Sequence, residues 1–124
     1  MTPEAALYGF LSGFGIPAYA ATSTPSGAEF PYMTYGLVTG DWDSGEVPIQ
    51  VDLWYRTESE AVPNAKVREM SSRIGMGGVT VPCDGGMLWI KRGSPWAQSV
   101  RADQGDEKIK RRYINMDVEY LLSE

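Results

Sequence analysis

Residues 45–59 read GEVPIQVDLWYRTES. Val47, Ile49, Val51, Leu53 and Tyr55 alternate with Pro48, Gln50, Asp52, Trp54 and Arg56. Successive side chains of a strand point to opposite faces, so the stretch predicts a half-buried β-strand with one apolar and one polar side. Trp54 breaks the pattern. The largest apolar side chain stands on the face that Gln50, Asp52 and Arg56 mark as wet.

Just upstream, Met33, Tyr35 and Leu37 alternate against Tyr32, Thr34 and Gly36 within YMTYGLVT, residues 32–39, which predicts another strand. Between the two lies GDWDSGE, residues 40–46, rich in turn formers, with Gly45 at the position of a tight turn that wants a positive φ. Residues 32–56 are therefore expected to form an antiparallel hairpin whose acidic tip carries Trp42.

Toward the N-terminus, Thr2 is suited to cap a helix, Pro3 to open it and Glu4 to meet its positive end. Leu7, Phe10, Leu11 and Phe14 recur at helical spacing and form one apolar stripe. Gly13 and Gly15 close the helix, and Pro17 prevents its continuation. A short apolar segment, Ala18 to Ala21, precedes a Ser/Thr/Pro/Gly loop over residues 22–29.

After the opening strand, Thr57 and Glu60 have the spacing of a capping box. Pro63 conflicts with a helix starting at Thr57, and a start nearer Ser59 or Glu60 reduces the conflict. Val67, Met70 and Ile74 mark the core face of this second helix, which Gly75, Gly77 and Gly78 end. VTVP (79–82) and MLWIKRG (87–93) predict a second hairpin turning at Cys83-Asp84-Gly85-Gly86. GSPWAQS, residues 93–99, reads as a loop. In the last segment, Ile114, Met116, Val118 and Tyr120 alternate against Tyr113, Asn115, Asp117 and Glu119, a closing strand with one polar face. The order predicts a single α+β domain over residues 1–124: a mostly antiparallel sheet with two helices packed on one face.

At 124 residues, with 43% hydrophobic and 22% charged residues, the chain has the composition of an ordinary soluble globular domain with a core of its own. One cysteine, Cys83, allows no internal disulfide, which suits a reducing compartment. Met1-Thr2-Pro3-Glu4 lacks the basic start of a signal peptide, and no apolar run reaches the ~20 residues of a membrane helix, so a cytoplasmic site of synthesis and no membrane partner are expected. The formal charge of −5 argues against coating nucleic acid. Residues 1–90 hold four Lys/Arg and ten Asp/Glu, whereas residues 91–124 hold seven and six, so the net charge runs from −6 to +1. The basic residues gather at Lys108, Lys110, Arg111 and Arg112.

Catalytic chemistry finds little to work with. The chain has no histidine, which removes the commonest general base and metal ligand and any Ser-His or Cys-His pair. Gly75-Met76-Gly77-Gly78 lacks the Lys-Ser/Thr of a phosphate loop. Asp41, Asp43 and Glu46 could in principle share acid and base roles or hold a hard cation, but acidic residues at an exposed turn are more simply a solvated loop. No cofactor, metal or catalytic residue is expected. The aromatic and basic residues of the polar faces and loops, Trp42, Trp54, Arg56, Trp96, Lys108, Lys110, Arg111, Arg112 and Tyr113, have the composition of a protein–protein interface. Coverage of some of them by the chain's own helices is the competing reading.

Phe30-Pro31-Tyr32 entering a strand, and Val51, Leu53, Trp54 and Ser59 in a strand that feeds a helix, resemble the tail terminator (tail completion) proteins of long-tailed bacteriophages. The closing strand, Tyr113 to Leu121, fits the same pattern. The resemblance implies a structural virion protein of the neck region, made in the host cytoplasm. It implies a hexameric ring that caps the tail tube, ends its polymerisation and meets the head-completion (neck) proteins while DNA passes through its lumen without sequence-specific binding. Asp41, Asp43 and Glu46 would then face the lumen or a neighbouring subunit. Another connector, neck or tail-tube protein is the alternative within virions, and a small carboxylate-dependent hydrolase or ligand-binding domain is the alternative outside them.

Overall fold

A computed structural model describes residues 1–36, 42, 45–101 and 105–122. In chain order these form α1 (Pro3–Ser12), β1 (Ala18–Ala20), a 3-10 turn (Ala21–Ser23), β2 (Tyr32–Tyr35), β3 (Glu46–Arg56), α2 (Ala61–Ile74), β4 (Val79–Cys83), β5 (Gly86–Val100) and β6 (Ile109–Leu122). The strands make one six-stranded sheet in the order β1-β2-β3-β6-β5-β4. Only β1 and β2 are parallel; the other neighbours are antiparallel. The fold is α+β, as the element order predicts. Of the 32–39 strand, Tyr32–Tyr35 is seen as β2, and Leu37 lies outside the described residues.

The alternation in β3 sorts the sheet into two faces. Ile49, Val51, Leu53 and Tyr55 are buried, and across the ladder Ile114, Met116 and Val118 of β6 are buried with them. Leu7, Leu11 and Phe14 from the α1 segment and Met70 and Ile74 from α2 join this same core. Both helices therefore lie on the apolar face. The helices also hold each other: Lys66 Nζ donates to the Phe14 carbonyl (2.6 Å), Arg73 Nη1 donates to the Gly13 carbonyl (3.0 Å), and the Arg73 guanidinium lies 4.4 Å from the Phe14 ring centroid. Cations at the carbonyl end of a helix meet its unpaired acceptors and the negative end of its dipole.

Thr2 caps α1, accepting from the Ala5 amide at 3.1 Å. The expected capping box of α2 does not form. Thr57 Oγ1 accepts from the Ser59 amide in a local turn, and the Glu60 carboxylate bonds Arg112 instead. Starting at Ala61, α2 has Pro63 in its first turn, where a missing N–H costs no intrahelical bond, and Pro63 is buried.

The largest difference from the sequence reading concerns residues 93–99, expected as a loop. They belong to β5, which runs beside β6 to Val100 with a register shift between Arg92 and Ala97. The bulge is pinned by Asn115, whose Nδ2 donates to the Pro95 carbonyl at 3.0 Å. Gly93 packs directly on the same residue, where an added Cβ would stand 2.8 Å from the Asn115 carbonyl oxygen. Gly, Ser and Pro inside a strand mark a bulge as readily as a loop, and only the long partner β6 decides between them.

Candidate functional site

The face of the sheet opposite the helices carries the polar alternates of β2, β3 and β6. Along β3 the even-numbered residues from Glu46 to Arg56 are half-buried or exposed, as are Arg111, Tyr113, Asn115, Asp117 and Glu119 along β6. Trp54 lies here, not under a helix. The register places it between Tyr32 of β2 and Arg111 of β6. Its ring stacks on Tyr32 (centroids 6.3 Å, planes 17° apart), the Arg111 guanidinium lies 5.1 Å from its centroid, and its Nε1 donates to Thr34 Oγ1 at 3.0 Å. Arg111 is itself fixed by a 2.8 Å hydrogen bond from its Nε to Asp52 Oδ1. Tyr32 continues the row to Tyr19 and Phe30, at 6.1 and 5.4 Å between centroids. The Trp54–Tyr32 and Tyr19–Tyr32 ring pairs and the Arg111–Trp54 cation–π contact are cross-strand pairs, the kind that stabilises a sheet surface without closing it to a partner.

Tyr19, Phe30, Thr34 and Asp52 thus belong to the candidate surface although sequence reading did not place them with Trp54. The signal was available for Tyr32, Thr34 and Asp52, which share the polar parity of the hairpin. None existed for Tyr19, whose strand joins from another part of the chain.

The basic run is matched within the chain. Arg56 Nε lies 3.0 Å from Asp106, Lys108 Nζ 3.7 Å from Glu58, Lys110 Nζ 4.0 Å from Glu60, and Arg111 pairs Asp52. Arg112 points to the other face. It is 4% exposed, and its guanidinium donates to Asn64 Oδ1 (2.9 Å), the Glu60 carboxylate (2.6 Å) and the Glu60 carbonyl (3.4 Å). Expected on an interface, Arg112 instead ties β6 to the start of α2. This hydrogen bond holds the Glu60 carboxyl below the usual carboxylate range.

The two tryptophans expected on loops, Trp42 and Trp96, behave differently from each other. Trp42, also expected at an interface, is 6% exposed and folds back on the chain, its Nε1 donating to Glu4 Oε1 at 3.0 Å and lowering the titration of that carboxyl. Trp96 sits in the β5 bulge, half-buried, beside a cavity of about 480 Å³ that Trp89, Arg92, Met76 and Ser71 also line. Its Nε1 is buried without a hydrogen-bond partner. Trp89 is covered by its own neighbours: Nε1 donates to the Gly77 carbonyl at 2.8 Å and Lys91 Nζ lies 4.1 Å from the ring centroid.

Asp41 and Asp43 lie outside the described residues. Glu46 is ion-paired with Lys91 at 2.9 Å, and Glu119 shares that lysine at 3.4 Å, which raises its titration. Burial, and next the Asp84 carboxylate, push the Cys83 thiol up. Among the described residues no three His, Cys, Asp or Glu side chains are grouped to hold a metal, and no helix is long and apolar enough to cross a membrane. The surface presents half-buried aromatic rings, a guanidinium fixed by a carboxylate and paired charges on the sheet. Comparison of the chain with protein-family models, curated proteins and solved structures gave no match.

Proposed function

We propose that this chain is a structural protein of a long-tailed phage virion, a tail terminator whose copies form a hexameric ring at the top of the tail tube. The ring stops polymerisation of the tube and joins it to the neck proteins. The observation that carries this reading is the bare sheet face. Both helices lie on the apolar side, and the opposite side presents Tyr32, Trp54 and Arg111 held in place by cross-strand contacts, with Tyr113 half-buried beside them. Tyrosine, tryptophan and arginine on a pre-organised support are the residue types that anchor protein partners. The acidic balance of −5 suits a channel wall that DNA passes without sticking. The element order and the Phe30-Pro31-Tyr32 and Trp54 motifs support the same family.

Negative-stain imaging and light scattering of the purified protein, alone and with tail-tube protein, test the proposal. Rings with an open centre and tubes capped or shortened in its presence are expected. A strict monomer that leaves tube length unchanged overturns the reading. Open-ended fibres of this chain alone would favour a tail-tube subunit instead.

A further inference from the structure

Both ends of the sheet are open, and their hydrogen-bonding directions match. Three backbone bonds fix those directions across the whole sheet: Met33 N to Pro17 O (2.8 Å), Gly36 N to Gln50 O (3.0 Å) and Thr57 N to Lys108 O (2.7 Å). Gln50 therefore faces β2 and Val51 faces β6, and by the register Ile114 faces β3 while Tyr113 faces β5. Gln98 of β5 then pairs with Tyr113, which leaves the amides and carbonyls of Ala97 and Ser99 pointing off the sheet. No strand lies beside them, because β4 pairs only with residues Gly86 to Ile90 of β5. No hydrogen bond to these four groups exists among the described residues. At the opposite end, the parallel register of β1 with β2 turns Tyr19 inward to the ladder and leaves Ala18 and Ala20 pointing outward, the Ala20 carbonyl accepting from Thr24 Oγ1 at 3.3 Å.

The two edges are also chemically alike. Residues 18–20 and 97–100 carry no charge, although exposed edges are commonly blunted by lysine or proline. The β4 part of the same sheet end is blunted in that way: Val79 and Val81 pair with β5, so Pro82 faces out and removes a donor there. The outward-facing residues of both open edges are small, and their side chains lie on the helix-covered face. β1 runs antiparallel to β5, as the chain of pairings from β1 to β5 requires.

We propose that copies of this chain join head to tail through these edges: β1 of one copy adds antiparallel to residues 97–100 of β5 of the next. The register that meets the open outward groups pairs Ala18 with Ser99 and Ala20 with Ala97, the Ala20 carbonyl being shared with Thr24 Oγ1 through its second lone pair, and brings Tyr19 opposite Gln98 as a closely spaced, non-hydrogen-bonded pair. The sheet then continues from copy to copy with helices always on one side, and a heterologous contact of this kind closes into a ring when its rotation permits. The inference deepens the ring reading and rests on it for the identity of the partner.

Two variants test the pairing. Ser99→Pro removes an outward N–H without touching the ladder to β6, so the circular dichroism of the wild type is retained and the assembled species is lost on sedimentation. Tyr19→Cys with Gln98→Cys in one chain, on a Cys83→Ala background, gives a ladder of disulfide-linked dimers, trimers and larger species on oxidation, and neither single replacement does. Assembly that persists in Ser99→Pro, or a double-cysteine protein that assembles without cross-linking or stops at the dimer, overturns the edge pairing while leaving the ring reading standing. Edge-linked oligomers that neither cap nor shorten tail tubes overturn the phage reading alone. A wild type that stays monomeric at all concentrations and with tube protein overturns both.

Discussion

Two neighbouring rungs of the sheet each carry a residue that contradicts its face. Arg112, opposite Leu53, puts a cation on the buried side; Trp54, opposite Arg111, puts the largest ring on the wet side. The two exceptions are accommodated in different ways. A guanidinium removed from water must have its donors met, and Asn64 and Glu60 meet them from the first turn of α2. An aromatic ring on an open face needs only cover, and Tyr32, Thr34 and Arg111 provide it from strands on either side. Arg112 is therefore a joint between sheet and helix, whereas Trp54 is a feature of the sheet face that neither helix covers.

The difference sets an order of effects. Arg112→Ala strips three donors from the α2 junction and leaves a buried gap, and a loss of about 3 kcal/mol in denaturant unfolding is expected. A variant as stable as the wild type would show that the junction contributes nothing. Trp54→Ala removes a ring pair, a cation–π contact and one hydrogen bond at a half-buried site, for about 1.5 kcal/mol. A cost of 4 kcal/mol or more, as for a core tryptophan, would break the contrast by making Trp54 a core residue. Under the proposed function, the same variant weakens ring formation or tube binding while the monomer still folds, which sedimentation and circular dichroism together check.

The smallest effect is a pH dependence. Arg112 lowers the folded-state titration of Glu60, as the Lys108 amide and then Arg56 lower that of Asp106. A carboxyl with a lowered folded pKa contributes stability above its unfolded value, about 4, and loses it as pH falls through the folded value. Glu60→Gln is therefore expected to be less stable than the wild type near neutrality and to approach it in acid. Parallel stability curves for the two proteins below pH 5 would exclude a role for the Glu60 charge.

Much of the fold was legible in the pattern of residues. The period-two alternation of β3 and β6 and the helical spacing of Leu7, Leu11, Phe14, Met70 and Ile74 identify the elements and their buried sides, because burial acts on each element separately. Residues 93–99 were misread because Gly93, Ser94 and Pro95 carry the same local preference in a bulge as in a loop. The α2 cap was misread because Thr57 and Glu60 have the right spacing, yet Arg112, 52 positions away, bonds the glutamate more strongly than a backbone amide would. The candidate surface was half legible: Trp54, Arg111 and Tyr113 have polar-face parity, but Arg112 has the opposite parity and Trp42 is covered by α1.

By itself the sequence determined most of the strands and both helices, residues 93–99 excepted, and which side of each is apolar, since those follow from periodicity and local sterics. It also determined a chain rich in aromatic and charged residues and without histidine. Only the tertiary structure decided that β6 enters between β3 and β5, that both helices cover the same face, and that Trp54 is sheltered by strands instead of a helix. Those outcomes depend on pairings between residues tens of positions apart, for which no local preference exists. The matching of the two open edges is of the same kind, because the direction of each outward N–H is set by the register of every strand between them.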